Sequence, residues 1–448
     1  NGDGRAPKPG TVRIVASTED GRRKLADLPA VRLGAVPFEP TAWIDIDPAK
    51  RGQTILGLGA SLEHATCANL AKLPPDKREA VIESIVSPAK GIGMNLMRLC
   101  IGTSDFTDVP YYTYDDLPPG ESDPGLERFS IERDRATVLP IVRAALRVNP
   151  ELRFFASPWS PPAWMKTSGK LGTGRLKRDC FDAFARYLVR FVEAYAAEGV
   201  PILALTVQNE PQHQDPNYPT TLMSATDQRD FIRDHLGPLL AERKLPTQIW
   251  CWDHNWNRPD FPRTILSDPK AARYVDGIGW HHYEGTVEAQ RELRRQFPDK
   301  HCYFTEGSLF GVEGALRLVD ILRNDARSYN AWVILLDEHQ KPNRGPHEAS
   351  PTCIELLDDG SVRTNFDYFM QGQFMRHIPR GAVRLVSNPM EPGALGNVAF
   401  RTPDGFVVLL VANARKEEAS LGVRCGGQRF VDRLPARSVA TYVWRGDA

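Results

Sequence analysis

Between residues 53 and 336 the chain alternates short, nearly continuous apolar runs with longer stretches of helical periodicity. The runs are QTILGLG (53–59), MNLMRLCIG (94–102), LRFFASP (152–158), ILALTVQNEP (202–211), TQIWCWDHN (247–255), DGIGWHHY (276–283), HCYFTEG (301–307) and YNAWVILL (329–336), eight in all. Apolar residues on consecutive positions suit strands that are covered on both faces. Between the runs, Phe184, Leu188, Phe191, Val192 and Tyr195 recur at helical spacing. This predicts a helix over 182–199, with Asp179 or Asp182 able to cap its start and Gly199 placed to end it. A second helix is predicted from Thr226 to Arg243. Eight such alternations predict an α/β fold, a (β/α)8 TIM barrel.

The flanks carry a different pattern. TVRIVAST (11–18) and TAWIDIDP (41–48) read as strands ahead of the barrel. After about residue 380, AVRLVSN, NVAFRT, GFVVLLVAN and RSVATYVW follow one another with turn residues between them and no helical period. The expected organisation is N-terminal strands in 1–50, a catalytic barrel in 51–378 and a C-terminal β-sandwich module in 379–448. The two flanks together would form one all-β side module.

Composition narrows the classes. The chain has 448 residues, 42% apolar and 25% charged, an ordinary globular balance. Lys plus Arg number 56 and so do Asp plus Glu, so the net charge is zero. Nucleic acid is therefore not an expected partner, and no apolar run is long enough for a transmembrane segment. The seven cysteines form no C-x-x-C pair, which indicates neither a disulfide framework nor a zinc site. The first residue is Asn1 rather than Met; a secreted or periplasmic location is favoured if a leader was removed, and the compartment is otherwise open.

In a (β/α)8 barrel the chemistry sits at the C-terminal ends of the strands. The fourth run ends in Asn209-Glu210-Pro211 and the seventh in Glu306. Pro211 is expected to keep Glu210 out of helical geometry and so to help end the strand. The other strand ends supply Arg98 and Asp105, then SPWSPPAWM, WDHN, WHHYE and Trp332. Two carboxylates facing each other across an aromatic-lined mouth suit glycoside hydrolysis, in which one protonates the leaving oxygen and the other attacks or activates water. A single such glutamate is more often a solvated loop residue; two, each after a buried run, favour catalysis. Arg98, within a strand, needs a carboxylate partner, and Glu306 is the expected one.

VQNEP with the later FTEGS, GMNLMRLCIGTSDF, YYTYDD, FFASPWSPPAWMKTSG, DQRDFIRDHLGP and DPKAARYVDGIGWHHYEG resembles glycoside hydrolase family 30, the glucosylceramidase-like enzymes, in the same order from about Gly57 to Leu336. The resemblance implies a retaining β-glycosidase without metal or cofactor, with Glu210 as acid/base and Glu306 as nucleophile. It also implies a carbohydrate or glycoconjugate substrate carrying a β-glucosidic bond, as in glucosylceramide or β-1,6-glucan, with β-xylosides or β-fucosides as the alternative. Asp105, Trp159 and Asn209 match positions that contact the sugar, Asn209 through the 2-hydroxyl. Arg98 and Tyr283 would support the nucleophile, Trp332 would form the sugar platform, and His281 joins the substrate-binding set. Two departures stand out: Glu63 replaces the usual aspartate, and His282 replaces the tryptophan of His-Trp-Tyr. Two other classes compete. A non-catalytic carbohydrate-binding protein need not keep Glu210, Glu306 and Arg98 together. A metal-dependent barrel hydrolase would recruit Asp253, His254, His281 and His282, but adjacent histidines on a strand face opposite ways.

Overall fold

The computed structural model describes residues 6–348 and 352–446. Eight parallel strands form the barrel: Gly57–Ala60, Leu96–Ile101, Arg153–Pro158, Ile202–Thr206, Gln248–Asn255, Val275–His281, His301–Gly307 and Ala326–Ala331. The first pairs with the eighth, and a bridge between Ser61 and Arg98 joins it to the second, which closes the ring. Gly59 makes this closure possible, because a Cβ there would lie 1.9 Å from the carbonyl oxygen of Leu96.

The barrel interior is layered, as the two-residue period of a strand requires. Leu96, Phe155, Ala204, Trp250 and Tyr303 form an apolar layer, with Trp250 and Tyr303 stacked at 3.8 Å. Two residues further along the same strands the inward positions turn polar: Arg98, Ser157, Thr206 and Thr305, all buried. The apolar layer plugs the barrel floor, and the polar layer lies above it, towards the C-terminal mouth.

The predicted helix is Phe181–Ala197, ended by Gly199 at φ 80°. Its N-cap is Cys180 with no side-chain cap, so neither Asp179 nor Asp182 has that role; Asp182 instead pairs with Arg186 one turn on. The Thr226–Arg243 prediction corresponds to helix from Ala225 to Glu242, interrupted by one π turn at Ile232–Leu236.

Strands from both ends of the chain form a nine-stranded sheet beside the barrel. Thr11–Thr18 pairs with Ser438–Arg445, and Ala42–Thr54 lies between Val383–Ser387 and Ala419–Cys425. One face encloses its own core around Ile44, Leu409, Phe430, Tyr442 and Trp444. The other face contributes Phe400, Val408 and Leu410 to the core of the barrel. All seven cysteines are buried, and no helix among the described residues is long and apolar enough to cross a membrane.

Candidate active site

The C-terminal mouth of the barrel opens into a cavity of about 820 Å³, a size typical of small-molecule sites. Glu210 and Glu306 both line it, together with Asp105, Trp159, Asn209, Tyr283 and Trp332. Arg98 and His281 are not in its wall. They are buried beneath the two glutamates and touch those rather than the open space.

Arg98 connects the polar layer. Its Nη1 donates to Glu306 Oε2 at 2.5 Å, its Nη2 to Asn209 Oδ1 at 2.8 Å and to Asp253 Oδ2 at 2.9 Å, and its Nε to Ser157 Oγ at 3.1 Å. Burial disfavours its charge, but Asp253 and Glu306 outweigh that and hold the guanidinium firmly protonated. The second oxygen of Glu306 accepts from the Tyr283 hydroxyl at 2.9 Å. Glu306 is thus fixed on both sides by donors that do not give up protons near neutral pH.

Glu210 is held differently. The strand ends at Thr206, and Glu210 follows in a turn with φ 48°, in the left-handed region. A residue before a proline commonly takes extended backbone. Two hydrogen bonds override that preference: Glu210 N donates to Asp253 O at 3.0 Å, and His213 N donates to Glu210 O at 2.9 Å. This turn lets Glu210 Oε1 reach His281 Nδ1 at 3.0 Å. His281 Nε2 lies 2.9 Å from Asp253 Oδ1. Ionised carboxylates only accept, so His281 can bond both of them at once only if both ring nitrogens carry protons. Burial opposes that charge, but Glu306, Asp253 and Glu210 prevail and raise the imidazole to about 9. Burial would raise Glu210, yet its histidine neighbours pull it below the usual carboxylate range. Of these, His254 is 3.8 Å away but is itself depressed to about 4 by burial, so at neutral pH the operative charge is His281.

Asp253, deep in the barrel, organises this set. A bulge between Trp252 and His254, with Trp252 and Asp253 both at positive φ, breaks the strand's alternation and turns the Asp253 side chain inward. There it accepts from Thr206 Oγ1 and Thr305 Oγ1, each at 2.6 Å, besides Arg98 and His281. Burial opposes ionisation, but Arg98 and the hydrogen bonds leave Asp253 far below its ordinary value. The sequence places Asp253 at the end of the fifth run, in WDHN, and otherwise only among candidate metal ligands. The signal for its real position was a charged residue inside an otherwise apolar run.

The remaining residues form the walls. Trp159 and Trp332 stack at 5.2 Å, and the Arg98 guanidinium lies 4.8 Å from the Trp159 ring. Asp105 is raised to about 8 by burial and by the charge of Glu306, so at neutral pH its carboxyl can donate a hydrogen bond into the cavity. With Asn209 Oδ1 held by Arg98, the amide nitrogen is the group left for a ligand. Glu63 lies outside the wall: it caps the helix His64–Lys72, accepting from Thr66 N at 2.8 Å, and is raised to about 7 by burial. His282 diverges from His281, and its Nε2 accepts from Ser308 N at 3.0 Å.

Single atoms of Glu210, His281 and Glu306 lie within 4.8 Å of one another, so the two glutamates approach at least that closely. This is one of three groups among the described residues that could hold a metal ion. Here Arg98 already supplies the cation to Glu306.

The sequence model of the glycosyl hydrolase family 30 TIM-barrel domain matches residues 55–332, and that of the family's beta sandwich domain matches 381–442. An endo-1,6-beta-D-glucanase of Neurospora crassa is 32% identical, over 96% of this chain and 94% of its own. The lysosomal acid glucosylceramidase of Mus musculus is 30% identical, over 98% and 90%. Among solved structures, the endo-beta1,6-glucanase BT3312 superposes with a TM-score of 0.87 at 27% identity, over 97% of this chain and 100% of that one.

Proposed function

The chain belongs to glycosyl hydrolase family 30 and is a glycoside hydrolase; on that premise we propose a retaining β-glucosidic mechanism with Glu306 as nucleophile and Glu210 as acid/base. The observation that carries this reading is the approach of the two carboxylates to within 4.8 Å. Retaining enzymes hold the pair about 5–5.5 Å apart, whereas inverting ones leave about 6.5–9.5 Å for a water. Their different partners support the division of roles. Glu306 faces a permanent cation and a tyrosine hydroxyl, which orient its two oxygens for attack on the anomeric carbon. Glu210 faces a titratable histidine, so a proton is available beside it for the leaving oxygen.

In the first step Glu306 Oε attacks C1 as the C1–O bond breaks, and the leaving oxygen takes a proton from Glu210, which draws it in turn from His281 Nδ1 at 3.0 Å. Water then attacks the glycosyl ester, giving its proton to Glu210 and releasing Glu306. The Asn209 amide is placed to donate to the 2-hydroxyl, and Trp159 and Trp332 to pack on the sugar's C–H face.

The site's acid proton is shared between His281 and Glu210, and this fixes the alkaline limb of the pH profile. In the free enzyme kcat/KM is expected to fall as pH rises through about 9, where His281 loses its proton. His281→Asn leaves Glu210 to hold the proton alone, and the limb should move to lower pH by about one unit or more. An unchanged limb in that variant would remove His281 from the acid function.

For the aglycone we propose a saccharide, as in β-1,6-glucan, ahead of ceramide. The outer cavity is lined by Gln212, Asn257, Arg258 and Glu284, groups that hydrogen-bond sugars. Among the described residues the large apolar side chains most open to solvent are Tyr283 and Val386, and two separate residues make no apolar collar for lipid chains. The test is kcat/KM on pustulan, on glucosylceramide in micelles and on aryl β-glucoside, β-xyloside and β-fucoside. Pustulan is expected to exceed glucosylceramide by at least roughly tenfold, the scale of one mismatched apolar contact. The reverse order would move the assignment to a lipid aglycone.

A further inference from the structure

The rim of the cavity carries a second cluster that hydrolysis does not use. His213 and Asp215 lie on the loop that follows Glu210, and His347 lies on the segment beyond the eighth strand. One ligating atom from each falls within 4.8 Å of the others. The His213 and His347 rings are 6.1 Å apart, and Tyr218 packs on both, at 5.9 and 5.8 Å.

Two details suggest that the cluster is built for a ligand. His213 Nε2 is enclosed and has no hydrogen-bond partner, and an enclosed polar atom left unpaired is destabilising. Asp215 Oδ1 accepts from Asn217 N at 2.7 Å and Asn217 Nδ2 at 2.8 Å, which orients the carboxylate and leaves Oδ2 for another partner. The supporting backbone is tied down as well. Asp215 N donates to Thr220 Oγ1 at 3.0 Å, and Asn343 Nδ2 donates to His347 O at 2.6 Å.

We infer that His213, Asp215 and His347 form a binding site for a divalent transition-metal ion of the Zn²⁺ type at the rim of the cavity. Two imidazoles and one carboxylate are the donor set of Zn²⁺, Ni²⁺ or Cu²⁺, whereas Mg²⁺ and Ca²⁺ take all-oxygen shells. Zinc bonds of about 2.0–2.2 Å would draw the three side chains closer than they stand. His347 is the one to move, since it is exposed while His213 and Asp215 are half-buried. The ion would then tie the loop carrying His213 to the segment carrying His347. That segment also rests on Asp105, whose carbonyl accepts from Arg344 N at 2.9 Å. Because His213 and His347 both line the cavity, the tie narrows its mouth. A bound ion should therefore slow hydrolysis of a polymer more than that of a small aryl glucoside.

The ion-binding claim does not depend on the glycosidase reading, because it is read by binding alone. Chelator-stripped protein is titrated with ZnCl₂ in a calorimeter, and Cu²⁺ is added to a parallel sample for electron paramagnetic resonance. One Zn²⁺ per chain is expected, with nitrogen splitting from two imidazoles in the Cu²⁺ spectrum. His213→Ala and His347→Ala should each weaken binding by more than the roughly 10–100-fold that loss of an outer-shell partner costs. His347 is on the surface, so that variant tests the site without threatening the fold. Glu210→Gln should bind as the wild type does. No binding at millimolar Zn²⁺ would overturn the inference. So would unchanged affinity in both histidine variants, or loss of binding in Glu210→Gln, which would place the ion at the catalytic glutamates instead.

Discussion

Glu306→Gln is expected to lower kcat/KM by roughly 10⁴-fold or more on every substrate, a loss of about 5 kcal/mol of transition-state stabilisation. The amide keeps the shape of the side chain and can still accept from Arg98 or Tyr283, so the thermal midpoint should change little. What it loses is the negative oxygen proposed to form the glycosyl ester. Glu210→Gln should be selective by contrast. It should cripple substrates with poor leaving groups, which need a proton, and spare the first step with dinitrophenolate, which departs without one. Steady-state kinetics on a polymer and on a dinitrophenyl glycoside separate the two patterns. Near wild-type turnover in Glu306→Gln would refute the nucleophile assignment.

Arg98→Met should cost both activity and stability, because one guanidinium serves two carboxylates. Without it, Asp253 and Glu306 are left buried without their permanent counter-charge. Breaking a buried pair in this way costs about 3–5 kcal/mol. Glu306 would also lose the donor that orients its Oε2, so kcat/KM should drop by roughly 10³-fold or more. Arg98→Lys should rescue little, since an ammonium cannot reach Glu306, Asn209, Asp253 and Ser157 with the geometry of a planar fork. Denaturant unfolding and kinetics on the same preparation measure both effects. Intact activity with lost stability would make Arg98 a structural residue only.

Six of the eight apolar runs cover most or all of a barrel strand, because a strand buried on both faces shows itself as an unbroken apolar run; the first, 53–59, begins too early, since Gln53 and Thr54 end the side-sheet strand Ala42–Thr54 and the barrel strand is Gly57–Ala60. The eighth was placed too late, at 329–336, whereas the strand is Ala326–Ala331. Its inward residues Ser328 and Asn330 are polar yet fully buried, and Asn330 Nδ2 donates to Leu96 O at 2.8 Å. A strand whose polar residues are satisfied inside the barrel is hidden from an apolar pattern. The small sheet of Leu335–Asp337, Ile354–Leu356 and Val362–Thr364 was missed too, since three-residue strands carry no period. Ala26–Arg32, mostly exposed at the edge of the side sheet, gave no apolar run either.

At the site, Glu210 and Glu306 were legible because each ends a buried run. The arrangement beneath them was not. That Asp253 turns inward depends on a bulge, and that His281 joins Glu210 to Asp253 depends on three strand ends meeting. Neither is written in local spacing. His281 and Arg98 had been grouped with substrate-binding residues, and the structure places both one layer below, against the glutamates. Which group holds the acid proton is likewise invisible in the sequence. His281 Nδ1 lies 3.0 Å from Glu210 and as a cation favours the Glu210 anion, which places the proton on the histidine in the free enzyme.

The division of labour between Glu210 and Glu306 is tested most directly by the anomeric configuration of the products formed with azide. In Glu210→Ala, a dinitrophenyl β-glucoside still forms the glycosyl-enzyme on Glu306, and azide displaces it without needing a general base. The expected product is the β-glucosyl azide. In Glu306→Ala no intermediate can form, and azide attacks C1 directly from the vacated face, giving the α-glucosyl azide. Proton NMR reads the two apart from the anomeric coupling. An α-azide from Glu210→Ala with a β-azide from Glu306→Ala would reverse the two roles, and unimpaired hydrolysis in both variants would contradict a glycosidase mechanism on this pair.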